Sequence, residues 1–445
     1  MEESVFEARS VPRAYFGMAL PGVFSMVITI IYNITDTYFI SLTHNTALVA
    51  GVSLCAPLFT LLMAFGNIFG QGGSSLISRL VGRNDQENLH RVSSFCFYAA
   101  IAFGIASGAL MLLLRRPILS LLGADADTAQ YAAPYYTWFA VGAPAMVLTF
   151  IHTNLLRAEG KSRQSMIASV GGSVVNIILD PILIFGCRLG AAGAAIATVL
   201  GYIFTDLYCI AVVLRTSHFL SIDPRKWRIR REFVGQIFGI GTSAALSNIT
   251  SSFCLILTNQ CLLPYGSDKI AAMGIVQKVS MVVMLVIVGF SFGGAPLVGF
   301  YYGSGDKAKL RQLLSFVLKF LCGLALIMSA VMILLAPAAI RLFLQDEALV
   351  RTGVLMLRLQ VVGMVLMAVV LFVTIIFQAT GKTLPAMVLS LSRQGVVFLV
   401  VLLAATYLAG YHGILMTQVI SDLISAGIAL GLLLHLKRTD PLLKN

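Results

Sequence analysis

The sequence predicts an all-α integral membrane protein: twelve transmembrane helices in two pseudo-symmetric six-helix lobes around a central cavity. Three observations carry that expectation. The 445 residues are 58% hydrophobic and only 11% charged, with mean hydropathy +0.91, whereas a soluble domain carries about 25% charge. Nearly the whole chain is cut into apolar runs of about 20 residues or more, each long enough to cross a hydrocarbon core of ~30 Å as a helix. The halves also repeat one another at a shift of 221 residues. The alternating ten-residue strands of a membrane β-barrel are not seen in the pattern.

The first run, about 15–41, is too long for a signal peptide and no small-residue cleavage site follows it. It is expected to stay as a span behind a short amphipathic lead-in, with Pro21 near one end and Asp36 near the other. The second, about 48–78, ends around Gly72-Gly73. No Lys-Ser/Thr follows, so this is read as a close helix contact and not a phosphate loop. The third and fourth, about 92–114 and 131–156, are plain apolar runs, the fourth carrying Tyr135 and Tyr136. The fifth, about 164–187, contains Asn176, Asp180 and Pro181, and the sixth, about 191–214, contains Thr198 and Asp206.

A polar, basic stretch from Arg215 to Glu232 separates these from six further runs: about 234–262, 270–301, 312–335, 353–377, 384–409 and 413–436. The expected division is an N-lobe over 1–214, a cytoplasmic linker over 215–233 and a C-lobe over 234–445. In the eighth run Lys278 is placed to snorkel. Its Met273, Met281 and Met284 are read as packing, with an adaptable substrate surface as the alternative. Arg393 in the eleventh run and Asp422 in the twelfth are expected to form a structural ion pair.

The repeat is carried by two separated blocks. Gly72, Gly73, Gly82, Asp85 and Leu89 correspond to Gly293, Gly294, Gly303, Asp306 and Leu310. Ala158, Gly160, Lys161, Met166 and Ser169 correspond to Ala379, Gly381, Lys382, Met387 and Ser390. An even number of helices per unit gives both halves one orientation, and such parallel repeats are common in transporters that hold substrate between the bundles.

The net charge of +12 is a matter of topology and not of nucleic-acid binding. With the N-terminus placed inside, the cytoplasmic segments hold 21 of the 31 Lys and Arg and the outer segments 7. That is the positive-inside bias, with both termini cytoplasmic. The seven Cys lie in or beside spans with no CxxC pair, and are read as small packing residues.

Asp36 and Asp180 stand out because a carboxylate at mid-helix in a bilayer costs ~2.5–3.5 kcal/mol on insertion scales, so such residues usually handle protons, ions or substrates. Pro21, about 22 Å along the same helix from Asp36, offers a hinge through which loading of the carboxylates bends the helix.

The paired lobes, the glycine-rich end of the second span running into Ser78-Arg79-Leu80-Val81-Gly82-Arg83-Asn84-Asp85, and the Arg157-Ala158-Glu159-Gly160 turn resemble the multidrug and toxic compound extrusion (MATE) family over essentially the whole chain. The resemblance implies a secondary antiporter expelling amphipathic, often cationic compounds in exchange for H⁺ or Na⁺. NorM-like members keep their acidic residues in the first and fourth helices of the second lobe, which here contain no Asp or Glu. The pattern is similar to the DinF-like branch, whose site carries over to Asp36, Asn176, Asp180 and Thr198.

Depth favours the same cluster. Asp36, Asp180 and Thr198 all lie about 8–11 Å below the outer boundary. Asn176 shares a helix face with Asp180 one turn deeper. Tyr135 and Tyr136 reach a similar level and could support the site. Two carboxylates, an amide and a hydroxyl offer oxygen ligands to a hard cation such as Na⁺. Alternatively, carboxylates sharing a dry site resist ionising together, as a proton carrier requires.

The expected partners are a small organic, amphipathic substrate and the lipid bilayer, with no nucleic acid, no cofactor beyond the coupling ion, and a monomer in a prokaryotic plasma membrane. A lipid-linked-sugar flippase of the broader superfamily is the alternative. An enzyme is disfavoured, because the six His are scattered and no nucleophile–base set stands out.

Overall fold

The structure is a computed structural model describing residues 6, 10–124, 126–344 and 346–444. Arg9 and most of the amphipathic lead-in lie outside the described residues. Every described element is helical: α1 (Val11–Ser41), α2 (Thr46–Leu54), α3 (Ala56–Gly82), α4 (Gln86–Leu113), α5 (Arg115–Leu121), α6 (Ala126–Ala158), α7 (Ser162–Pro181) and α8 (Ala191–Thr216) form the first half. The second comprises α9 (Arg231–Leu262), α10 (Ser267–Gly293), α11 (Ala295–Ser304), α12 (Lys307–Arg341), α13 (Glu347–Val362), α14 (Met364–Thr380), α15 (Thr383–Arg393) and α16 (Val396–Thr439).

Among the described residues eleven stretches are long and apolar enough to cross a bilayer, several of them joining two helices at a kink. The last, Thr383–Thr439, has 57 residues, far more than one crossing needs. It turns back at Gly410, whose φ of 56° and ψ of −128° only glycine adopts readily. A methyl group at Gly413 would overlap the Ala405 carbonyl, whereas eight residues of straight helix would hold the two about 12 Å apart. The stretch is therefore a hairpin of two crossings, which makes twelve. Gly190 opens α8 with almost the same angles, φ 53° and ψ −125°, at the matching turn of the first half.

The repeat has a physical explanation at each marked position. Asp85 and Asp306 cap α4 and α12, accepting from the backbone N–H of Asn88 and Lys309. Gly160 and Gly381 take positive φ, 91° and 76°, to end α6 and α14. Lys161 then donates to the Thr216 carbonyl at the end of α8, and Lys382 pairs with Asp440 just past α16.

The chain packs as two compact units, Phe24–Ala245 and the combination of Met1–Val23 with Leu246–Asn445. In the first, α6 is the hub, packed by α2, α3, α4, α7 and α8; in the second, α14 packs against α10, α11, α12, α15 and α16. The opening part of α9 belongs to the first unit. It lies so close on α3 that a methyl at Gly72 would overlap the Ile237 carbonyl, and one at Gly241 that of Ile68. The opening part of α1 belongs to the second unit: Gly293 meets the Ala19 backbone, and the Tyr15 hydroxyl donates to the Phe290 carbonyl at 2.8 Å. The Gly-Gly pair of each repeat thus receives the start of the other repeat's first helix, a close contact of small residues of the kind that joins helices in lipid.

Large apolar side chains such as Leu113, Leu121 and Leu334 point outward, as lipid-facing positions do. All seven cysteines are free.

Candidate functional site

The site lies in the unit Phe24–Ala245, where α7 and α8 touch through backbone. Gly172 and Gly201 face each other so closely that a methyl on either would strike the carbonyl of the other. A second glycine contact, Gly193 on Leu183, closes the pair nearer the turn. Between these contacts the Asn176 amide donates to the Thr198 hydroxyl at 3.3 Å, both residues buried. Four residues on, Asp180 is fully buried at 0% exposure. A π-turn over Ile182–Gly186, with Cys187 N–H donating to the Ile182 carbonyl at 2.8 Å, follows Pro181 and turns the chain into α8.

The end of α1 brings Asp36 against Asp180, so that the two carboxylates interact directly. Both Asp180 oxygens, Asp36 Oδ1 and Asn176 Oδ1 are buried and accept no hydrogen bond among the described residues. Two ionised carboxylates have no proton to share. Left bare, such buried charges cost several kcal/mol each. One proton between the acids, or a cation among the four oxygens, is what such a group can accept.

Three tyrosines ring the pair. Tyr135 of α6, Tyr32 one turn before Asp36 and Tyr202 one turn after Thr198 all lie close enough to feel the Asp36 charge. Sequence reasoning placed Tyr135 there but missed Tyr32 and Tyr202. Their spacing of four from Asp36 and Thr198 puts them on the same helix faces and was the available signal. Tyr136 is a correction. One residue on from Tyr135 it faces another way, and its hydroxyl donates to the Met111 carbonyl at 2.7 Å.

Beyond the carboxylates, towards the ends of α1 and α7, a buried apolar cluster of Ile40, Leu48, Ile184, Ala191 and Ala194 covers the site, with Tyr131 and Tyr135 packed against it. Pro21 lies within α1, two residues before the point at which the helix passes from one unit to the other.

A family model described as MatE matches residues 21–182 and 243–403, one block in each half. The chain belongs to the MATE family. It is 30% identical over 432 residues to the multidrug export protein MepA of Staphylococcus haemolyticus, covering 97% of this chain and 95% of that protein. It is equally similar, 30% over 433 residues with the same coverage, to MepA of Staphylococcus aureus strain MRSA252. A solved structure of MATE in the straight conformation has the same fold, with TM-score 0.91 at 24% identity and full coverage of both chains. So has an outward-facing multidrug resistance MATE family transporter, with TM-score 0.90 at 24% identity, covering 100% of this chain and 98% of that one. The protein is a multi-pass MATE efflux transporter and not an enzyme.

In this MATE chain the carboxylate pair occurs in one half. The positions 221 residues after Asp36, Asn176 and Asp180 are Leu257, Val397 and Val401. At the glycine crossing Gly172 corresponds to Arg393, which forms the expected ion pair with Asp422 at 2.9 Å, with Gln418 donating to the second Asp422 oxygen at 3.1 Å. Asp422 is therefore neutralised in place, whereas Asp36 and Asp180 are not.

Proposed function

We propose that this MATE transporter is a secondary active antiporter of the DinF-like branch. It exports amphipathic, often cationic, drugs or metabolites in exchange for H⁺ or Na⁺ by alternating access. The reading rests on one observation above all, the two facing carboxylates, three of whose four oxygens are buried and accept no hydrogen bond among the described residues, beneath an apolar cover. The multidrug export function in the names of the Staphylococcus relatives supports the cargo class.

A proton on Asp36 or Asp180, or a Na⁺ held by Asp36, Asp180, the Asn176 carbonyl oxygen and the Thr198 hydroxyl, removes the repulsion between the acids. Loss of that cation restores two like charges in low dielectric, several kcal/mol of bias. Such a bias is enough to move a two-state equilibrium almost completely. Bending of α1 at Pro21 is the proposed response, because a proline interior to a helix lacks one backbone bond and permits a kink. In this reading both termini are cytoplasmic, on the side of the basic loops, as the positive-inside bias favours, and the protein works as a monomer in a bacterial plasma membrane.

The test is export of a fluorescent organic cation from proteoliposomes under an imposed pH or Na⁺ gradient. Wild type is expected to move it, and Asp36→Asn and Asp180→Asn, though folded, are not. Gradient-driven export by either variant at the wild-type rate removes that residue from the mechanism.

A further inference from the structure

A second pair of buried titratable groups lies on the same face of α8, on the side of the carboxylates away from the apolar cover. Thr198, Tyr202 and Asp206 follow at intervals of four, so they stack along one helix face. Asp206 stands about 12 Å from the level of Thr198, with Tyr202 midway and within the field of Asp36. The Asp206 and His152 side chains are only 7% and 3% exposed, with His152 Nδ1 3.7 Å from Asp206 Oδ1.

The Thr149 hydroxyl donates to Asp206 Oδ1 at 2.9 Å and also approaches the Tyr202 carbonyl at 3.3 Å. Both ring nitrogens of His152 are buried and make no hydrogen bond among the described residues. A packing histidine satisfies at least one nitrogen by a hydrogen bond, which His152 does not. Asp206 has the Thr149 hydroxyl and the nearby His152 ring as partners, in place of a permanent cation such as the one Arg393 brings to Asp422.

We infer that Asp206 and His152 form a second protonation site, an inner station that takes the proton leaving Asp36–Asp180 and passes it towards the cytoplasm. The inference rests on the antiport reading with H⁺ as the coupling ion. The proton leaves one carboxyl of the upper pair, travels by the Tyr202 hydroxyl and water, and is taken up by the lower pair. That pair thereby gains one proton over its starting state. Release of one proton at the far side restores the starting state, and no electron moves.

The surroundings suit a transient charge. α4 supplies the Phe97 ring, 5.2 Å from the His152 ring, and α3 packs along the Phe150–Asn154 side of α6. From α7 the Ala168 carbonyl reaches this level of α8, accepting from Thr205, beside the uncharged Gly171 and Gly172. Further along, Cys209 lies near Asp206, and Arg157 lies near Cys209 while donating to Ser165 at 3.2 Å, so the nearest fixed positive charge beyond the pair is held by its own hydrogen bond.

The experiment compares wild type, Asp206→Asn and His152→Gln in proteoliposomes by three measurements: export driven by a pH gradient, drug-for-drug exchange at equal pH, and drug affinity. Losing a proton-transfer group is expected to slow gradient-driven export about ten-fold or more, with exchange and affinity unchanged. Wild-type rates in both variants overturn the inference, as does parallel loss of exchange in both, which would mark a packing role. A wild-type protein driven only by Na⁺ also overturns it while leaving antiport intact. One driven by no gradient overturns antiport itself.

Discussion

Gly201 rests on the backbone of Gly172, with the Gly172 carbonyl only 2.7 Å from where a β-carbon on Gly201 would stand. This contact sets the separation of α7 and α8, and so holds Asn176 within reach of Thr198 and Asp180 at its depth. Gly201→Ala is expected to force the helices apart at a cost of about 1–3 kcal/mol. A lower thermal midpoint, together with loss of gradient-driven transport, checks this. Unchanged stability and transport would show that the crossing tolerates a methyl group.

Arg393 stands at the position of Gly172 in the other half, and its pairing with Asp422 is structural. Arg393→Ala leaves Asp422 buried without a charged partner, and removing one member of a buried pair costs about 3–5 kcal/mol. Replacing both, as Arg393→Met with Asp422→Leu, is expected to be much milder and to leave ion coupling intact. Denaturation curves and transport assays on the two variants decide it.

The two helix caps of the repeat provide a control. Asp85→Ala and Asp306→Ala each remove one side-chain acceptor from a helix start, worth about 1 kcal/mol. A small fall in thermal midpoint with normal coupling is expected from each. Loss of coupling would give these residues a role beyond capping.

Bending of α1 is open to direct measurement. Spin labels at the exposed positions Arg13 and Ile34, on either side of Pro21, are expected to report a shorter distance in one pH or Na⁺ condition than in the other. Pro21→Ala should reduce that change. A distance that stays fixed in every condition excludes the hinge.

Much of this was legible in the sequence. Apolar run length gave twelve crossings, because a bilayer allows few other solutions for backbone polar groups. The hairpin at Gly410 falls between the expected runs 384–409 and 413–436. Asp36 and Asp180 could be singled out because carboxylates are costly in lipid. The packing of the first part of α1 with residues from Leu246 onward could not be read, since apolar periodicity gives no partner. Nor could the Asp206–His152 approach, because the two residues are 54 apart on helices whose relative rotation depends on glycine contacts. Tyr135 and Tyr136 show the limit of depth alone: neighbours at one level differ by about 100° around the helix.

The most direct measurement concerns the Asp36–Asp180 pair itself. Drug is titrated into lightly buffered, solubilised protein while released H⁺ is followed with a pH dye and released Na⁺ with a tracer. The account expects wild type to release one of the two cations as drug binds, and Asp36→Asn and Asp180→Asn to release none. Wild type that binds drug without releasing either cation, or variants that release as much as wild type, would contradict it.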